Sequence, residues 1–464
     1  MRPRARWIAV GIVSACSFSA PAVFDAMVDT PPVVNEPDAA VLVDAFVPVD
    51  SGPCAAPGLT CEGTILHDCP SAGATPIDTV CGWGCSAVNG AHCAELQPAG
   101  GALTAADLRG DPALESKTLN ASGQTWNTDT GEIQNLRSGG TGIRNGIEFH
   151  VANGVGVFRF KKLTIQGLGT TIQVRGANAL GIAVIEGLEV NSAVLDLRGD
   201  CANNNAGPGG FLGGAPDEDG QGTGKGNGGF TGGGNSATGG GGAGFGASGG
   251  PSGATNFTGR ASAGTAFGDA GIALLRGGAG GGGGGGGGGN GGGGGGAIQI
   301  ISNGQVHFDG DFLQGVAGIN AGGCAGQGGA AGRGGAGGGA GGTILVEAPQ
   351  VKIDGPGGLG VNGGGGGGGD GGTQGTDALF GTAAAGGGAG GGGGAGGAGG
   401  TRGTGNLGGR SGGDGSKVSG GGGGAVGRIR FNTQSGLITV NNGFLSPSLG
   451  DDQTSTSQGL ANVQ

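Results

Sequence analysis

The sequence predicts an all-β protein: a parallel β-solenoid, or β-helix-like stack of repeats, interrupted by long glycine-rich excursions and preceded by a small disulfide-rich module. Three observations lead there. Short β-branched runs recur after residue 100 in similar order. Glycine fills the spaces between them, 131 residues of 464, and six cysteines crowd between Cys54 and Cys93.

The repeat is carried by four segments: Gly181–Val190, Ala297–Phe308, Gly342–Ile353 and Gly427–Val440, with a less exact member at Gly154–Gly167. Each has a β-branched run, a polar turn and a second alternating run, such as Val351-Lys352-Ile353. Most continue into a third, such as Val194–Leu197 or Gly358–Val361. Alternation of period two bounded by Gly, Asn and Asp is a strand signal. Three short strands per unit fit one coil of a parallel solenoid, in which stacking supplies the core that a single coil cannot build. A twisted antiparallel sandwich is the competing arrangement.

Between coils lie the excursions at 203–296, 321–341 and 362–426, with unbroken glycine at Gly280–Gly289, Gly291–Gly296 and Gly363–Gly369. Flexible linker is the ordinary reading, because glycine loses the most backbone entropy on ordering. The alternative is a polyglycine bundle: extended helices of three residues per turn that exchange lateral N–H···O=C bonds. Phe211, Phe230, Phe245, Phe257 and Phe267 are then expected to pin the first excursion to the coils. These tracts resemble the glycine-rich repeats of mycobacterial PGRS-type surface proteins.

The amino-terminal region carries an address. Arg2, Arg4 and Arg6 precede the apolar run Trp7–Val13, a signal-peptide pattern too short to span a bilayer. Val13-Ser14-Ala15-Cys16 closes it and resembles the bacterial lipobox. That resemblance implies a signal peptide over 1–15, a lipidated Cys16, and, with Ser17 next, sorting to the outer membrane. Ordinary secretion with cleavage after Ala22 is the alternative. Residues 16–53 carry six acidic residues, six prolines and no Lys or Arg, and read as an extended tether.

Residues 54–98 form the cysteine-rich module. In an exported chain, Cys54, Cys61, Cys69, Cys81, Cys85 and Cys93 are expected as three disulfides, of unspecified connectivity. A zinc site using His67 and His92 competes weakly, since no Cys-x-x-Cys pair is present. The module resembles cysteine-rich units that precede solenoid bodies in Gram-negative surface lipoproteins. Cys201 and Cys324 are expected to bridge within the body, 99–464.

Chemistry is sparse. Gly-x-Ser-x-Gly at Gly246–Gly250 and Gly409–Gly413 sits in glycine tracts, without the strand-to-helix turn that a nucleophile needs. His150 and His307 fall in or beside strand patterns and read as outward polar rings. Asp309 and Asp311, like Asp370 and Asp414, lie on glycine turns; the first two are weak calcium candidates, but the tandem nonapeptide of calcium-binding solenoids is missing. No cofactor and no catalytic residue is expected. Without residues 1–15 the chain has 19 basic against 33 acidic residues, which argues against nucleic acid.

The expectation is therefore a non-enzymatic structural or adhesive lipoprotein of the cell surface. Its partners are outer-membrane lipid through Cys16 and a surface polysaccharide or another cell. A carbohydrate-active solenoid enzyme and a binding protein acting through the 54–98 module are the alternatives. Clustered Asp, Lys and Arg on adjacent coils would favour the enzyme, and a concave, aromatic-lined patch around Trp83 the binding protein.

Overall fold

A computed structural model describes residues 53–464, apart from 121, 122 and 404. Cys16, the expected signal peptide over 1–15 and nearly all of the expected tether over 16–53 lie outside the described residues. Apart from short 3-10 turns, the regular elements described are all β, and no described helix is long and apolar enough to cross a membrane.

The repeat segments meet side by side and in parallel. Val155–Phe160, Ala179–Val184, Ala297–Ser302, Thr343–Ala348, Arg428–Thr433 and Thr456–Leu460 form a first ladder. A second joins Ser116–Asn120, the first half of Lys162–Arg175, the first half of Leu188–Asp196, Val306–Asp309, Val351–Asp354 and Thr439–Asn441. A third joins Thr125–Asn127, the second halves of the same two long strands, Gly318–Asn320, Gly358–Gly360 and Phe444–Ser446. Strands that are neighbours in the repeat are thus neighbours in space, across excursions of up to a hundred residues. The pairing is parallel in all three ladders, which excludes the antiparallel sandwich.

Register explains why the pairing holds. Phe158, Ile182, Ile300, Val346 and Phe431 stack one above another in the first ladder. Ile165, Val190, Phe308 and Ile353 do so in the second, and Ile172, Leu195, Ile319, Leu359 and Leu445 in the third. All belong to one buried cluster. A slip by one residue would turn every inward side chain outward, so the buried face sets the register.

One end of the stack is covered by a hairpin, Gly142–Arg144 with Ile147–Ala152, added antiparallel to Val155–Phe160. Beneath it Trp126 packs on Phe158 at 5.3 Å. The buried Arg137 guanidinium donates to the carbonyls of Gly131, Ser138, Gly140, Gly142 and Ile147, so its cost of burial is offset by a full set of acceptors.

The glycine excursions are hydrogen-bonded to one another. Gly281 donates to Gly292, Gly282 to Gly241 and Gly283 to Glu218; the next turn repeats with Gly284 to Gly289 and Gly285 to Thr238. Three consecutive N–H groups therefore face three different neighbours, and the pattern returns every third residue. The same step links Phe211, Gly214 and Asp217 to Gly278, Gly281 and Gly284, and links Gly363, Gly366 and Gly369 to Gly400, Gly397 and Gly394. Gly240 bonds to Gly335 and Gly338 to Gly422, so all three excursions share one array. The array also runs into the strands, since Thr343 donates to Gly296 and Arg428 to Gly342. Flexible linker is thereby replaced by paired backbone.

The five phenylalanines do not act as a set. Phe245 and Phe267 stack at 4.6 Å, with Phe245 buried beside Ala243, Ala279 and Ala340. Phe230 and Phe257 are 41% and 58% exposed, and Phe211 lies against Gly222. Backbone bonds hold most of the array, so aromatic pins are needed at one place only.

The cysteines form Cys54–Cys69, Cys61–Cys85, Cys81–Cys93 and Cys201–Cys324. The zinc alternative falls with this pairing, and His67 Nδ1 lies 2.6 Å from Asp78 instead. Within the module, Gly58–Glu62, Ile65–Cys69 and Ile77–Val80 make an antiparallel sheet. The chain then passes to the body, where Glu95 and Gln97 donate to Gln464 and Asn462.

Candidate functional site

Each ladder has an outer face, and the three differ in what covers them. The outer side chains of the first, including Val155, Val157, Ala183, Ile301 and Leu345, are buried under Leu96, Leu103, Leu108, Ile272 and Leu275. Glu347 lies on this face and accepts from Ala99 N–H, Gln299 Nε2 and Asn432 Nδ2. Burial pushes its carboxyl above the usual value, against the pull of these donors and of Arg430. The third ladder is covered where Phe380 packs on Phe444 at 5.1 Å and Asn362 Nδ2 bonds to the carbonyls of Leu379 and Gly381.

The second ladder keeps a polar face toward solvent. Glu189, His307, Lys352 and Thr439 occupy one register line; Asn191, Asp309 and Asp354 occupy the next. Strand spacing fixes such lines at roughly 4.8 Å per step. Lys162 lies 3.5 Å from Glu189, and Asp354 is bonded to His307 at 2.8 Å, Lys352 at 2.6 Å and Asn441 at 2.9 Å. Partial burial pushes the Asp354 carboxyl up, but these three donors outweigh it and hold it below the usual carboxylate range.

His307, Asp309 and Asp354 bring three possible ligand atoms within 4.8 Å of one another. Asp311 is not among them; its carboxylate accepts the N–H groups of Leu313 and Gln314 in a turn. Calcium prefers six to eight oxygen ligands. An imidazole, with a carboxylate already held by the Lys352 ammonium, does not fit that ion. Asp370 and Asp414 are likewise used locally, on Gly332 N–H and on Ala254 N–H with Arg260. His150 is half-buried, 3.5 Å from Asp107.

A cleft of about 510 Å³ opens where the disulfide-rich module meets the body. Its apolar wall is Trp83, Leu96, Leu108 and Ile185; its polar rim is Glu95, Arg109, Glu186 and Asn303. Trp83 is 3% exposed, also lines a second cleft with Cys85, His92 and Val463, and its buried indole Nε1 has no acceptor among the described residues. The junction is tight, since a Cβ on Gly82 would stand 1.8 Å from the Asn303 carbonyl oxygen. Sequence reasoning singled out Trp83 alone, because the other wall and rim residues arrive from four separate stretches of chain.

No family model matches this chain, and no match is found among curated proteins or solved structures.

Proposed function

We propose that this protein is a non-enzymatic structural or adhesive lipoprotein of the cell surface, held in the outer membrane by lipid on Cys16. Its body is a parallel β-solenoid, and the glycine excursions are a bundle of three-residue-per-turn helices fused to its flank. The observation that carries this reading is the shared hydrogen-bonding of ladders and excursions. A body cross-linked through its backbone resists bending and cleavage with few side chains, which suits a stalk or platform. Negative charge, from 33 acidic residues, keeps such bodies apart.

The test is expression of the whole chain in a Gram-negative host. Incorporation of labelled palmitate that is lost in Cys16→Ala, removal by protease added to intact cells, and attachment of those cells to a polysaccharide-coated surface are expected. An unlabelled, periplasmic protein would refute the reading.

One observation favours a second reading, the carbohydrate-active enzyme. His307, Asp309, Lys352 and Asp354 cluster on adjacent strands of the exposed face, as acid–base groups on such coils would. A glycosidase pairs an ionised carboxylate with one whose pKa is raised. Asp354 suits the first role, since its pKa is lowered. The raised carboxyl, Glu347, lies on another ladder beneath the segment at Ala99. Loss of polysaccharide cleavage in Asp354→Asn would establish this reading; no cleavage by the wild type would remove it.

A further inference from the structure

We infer that this chain associates with further copies of itself, the turn Asp311–Gly315 of one copy seating in the cleft beside Phe267 of the next. This rests on the surface-structural reading above and names its partner.

The turn joins Val306–Asp309 of the second ladder to Gly318–Asn320 of the third. At its tip Phe312 and Leu313 are 80% and 97% exposed, where a turn ordinarily takes Gly, Pro, Asn, Asp or Ser. Leu168 is exposed next to its base, where Gly315 packs on Gly169. The backbone is tied internally: the Leu313 and Gln314 N–H groups donate to the Asp311 carboxylate, and Gly315 N–H to the Asp311 carbonyl. Two apolar side chains are thus held in water on a turn already ordered, which removes much of the entropy cost of docking.

A convex tip cannot bury its own twin, so it needs a hollow. A cleft of about 240 Å³ lies beside Thr343 and Arg428, at the starts of two first-ladder strands. Phe245 and Ile272 are its nearly buried lining, and Phe267 and Leu274 its accessible apolar residues. A cavity of about 150 Å³ already takes benzene, so a phenylalanine ring fits. Charge selects the pairing. Asp309 and Asp311 flank the tip without ion pairs among the described residues, and no Lys or Arg occurs from 277 to 332. The cleft sets Arg276 and Arg428 against one carboxylate, Asp269, and Arg276 is exposed with no ion pair among the described residues. An acidic apolar tip therefore meets a basic apolar hollow. Elsewhere the acidity of the chain opposes contact, which confines association to this place. Because the two surfaces differ, each copy can receive one neighbour and enter another, and the contact propagates into rows. Two apolar anchors give a weak contact, with a Kd on the order of 0.1 mM, which anchoring side by side on one membrane makes sufficient.

The experiment uses the full mature chain with Cys16→Ser, which removes the lipid and its thiol. Sedimentation velocity from about 10 µM to about 1 mM should show reversible, concentration-dependent association. Phe312→Ser with Leu313→Ser, and separately Arg276→Glu, should each weaken it about ten-fold with an unchanged melting temperature, since all three side chains are exposed. Leu313→Cys in one copy and Leu274→Cys in a second, size-tagged copy should form mixed disulfide dimers under mild oxidation. A monomer throughout the range, association that survives either substitution, or Leu313→Cys pairing with itself as readily as with Leu274→Cys would each overturn the proposal. So would a monomeric chain that binds phosphatidylcholine vesicles through the tip. Palmitate labelling and protease removal are unaffected by any of these results, so the surface reading stands or falls apart from this one.

Discussion

Replacing Gly282 by alanine should unfold the glycine array from within. A Cβ there would stand 2.0 Å from the carbonyl oxygen of Asn227, and at the flanking Gly281 and Gly283 it would stand 2.3 Å from Gly337 oxygen and 1.8 Å from Ala215 oxygen. An ordinary carbon–oxygen contact needs about 3.3 Å, so the neighbour must retreat by more than 1 Å. The Asn227 carbonyl cannot retreat freely, because it accepts the Gly241 N–H, and Gly241 oxygen in turn accepts from Gly282 itself. Overpacking costs about 1–3 kcal/mol, and a buried peptide group stripped of its partner about 1–3 kcal/mol more. A loss of about 4 kcal/mol is expected, a large share of the stability of an ordinary domain. Gly259 is the control: nothing lies within 4 Å of its Cβ position. Alanine there should be neutral, or stabilising by about 0.5 kcal/mol through the unfolded chain. Guanidinium unfolding with disulfides intact measures both. A Gly282→Ala midpoint indistinguishable from wild type would refute the packed array and restore the flexible linker.

Three further outcomes follow from the ladders and their covers. Cys201→Ser with Cys324→Ser opens a bridge spanning 123 residues and should cost about 5 kcal/mol in the chain-entropy treatment, read as a lowered unfolding midpoint. Ile300→Ala, in the middle of the stacked column and 1% exposed, should cost about 3 kcal/mol by leaving a cavity with rigid walls. Glu347 should make stability fall with rising pH: its folded pKa is raised above the usual 4.5, so the folded state keeps the proton longer. Its contribution is full below about pH 4.5 and is lost as pH climbs through the folded value. Midpoints measured from pH 4.5 to 9 should show this decline, and Glu347→Gln should flatten it.

The parallel ladder strands were legible because their signal is local. Ile298, Ile300, Ile344 and Val346 alternate within single strands, and burial on one face is what alternation reports. The strand Ser116–Asn120 carries no such signal, because it has one inward aliphatic residue, Leu119, among polar neighbours. The array was legible only as composition. Its order comes from backbone bonds, which every glycine can make, so no residue type marks which tract faces which. Ala243, Ala279 and Ala340 are a faint exception, grouped around Phe245 where the packing leaves room for methyl groups. The polar cluster needed register: His307 and Asp354 are 47 residues apart, and only the parallel pairing of Val306–Asp309 with Val351–Asp354 makes them neighbours. The cleft needed the docking of module on body, for which Trp83 offered no partner in sequence.

The pairing of Glu95–Gln97 with Asn462–Gln464 has a kinetic consequence. These strips come from widely separated parts of the described chain, so their union must wait until everything between them has been delivered. Contacts of such long sequence separation slow folding steeply. While they are pending, the covers of the first ladder lack their final anchor and Leu96 and Leu103 remain wettable. A chain built this way completes its fold late, and its finished form is correspondingly hard to reopen.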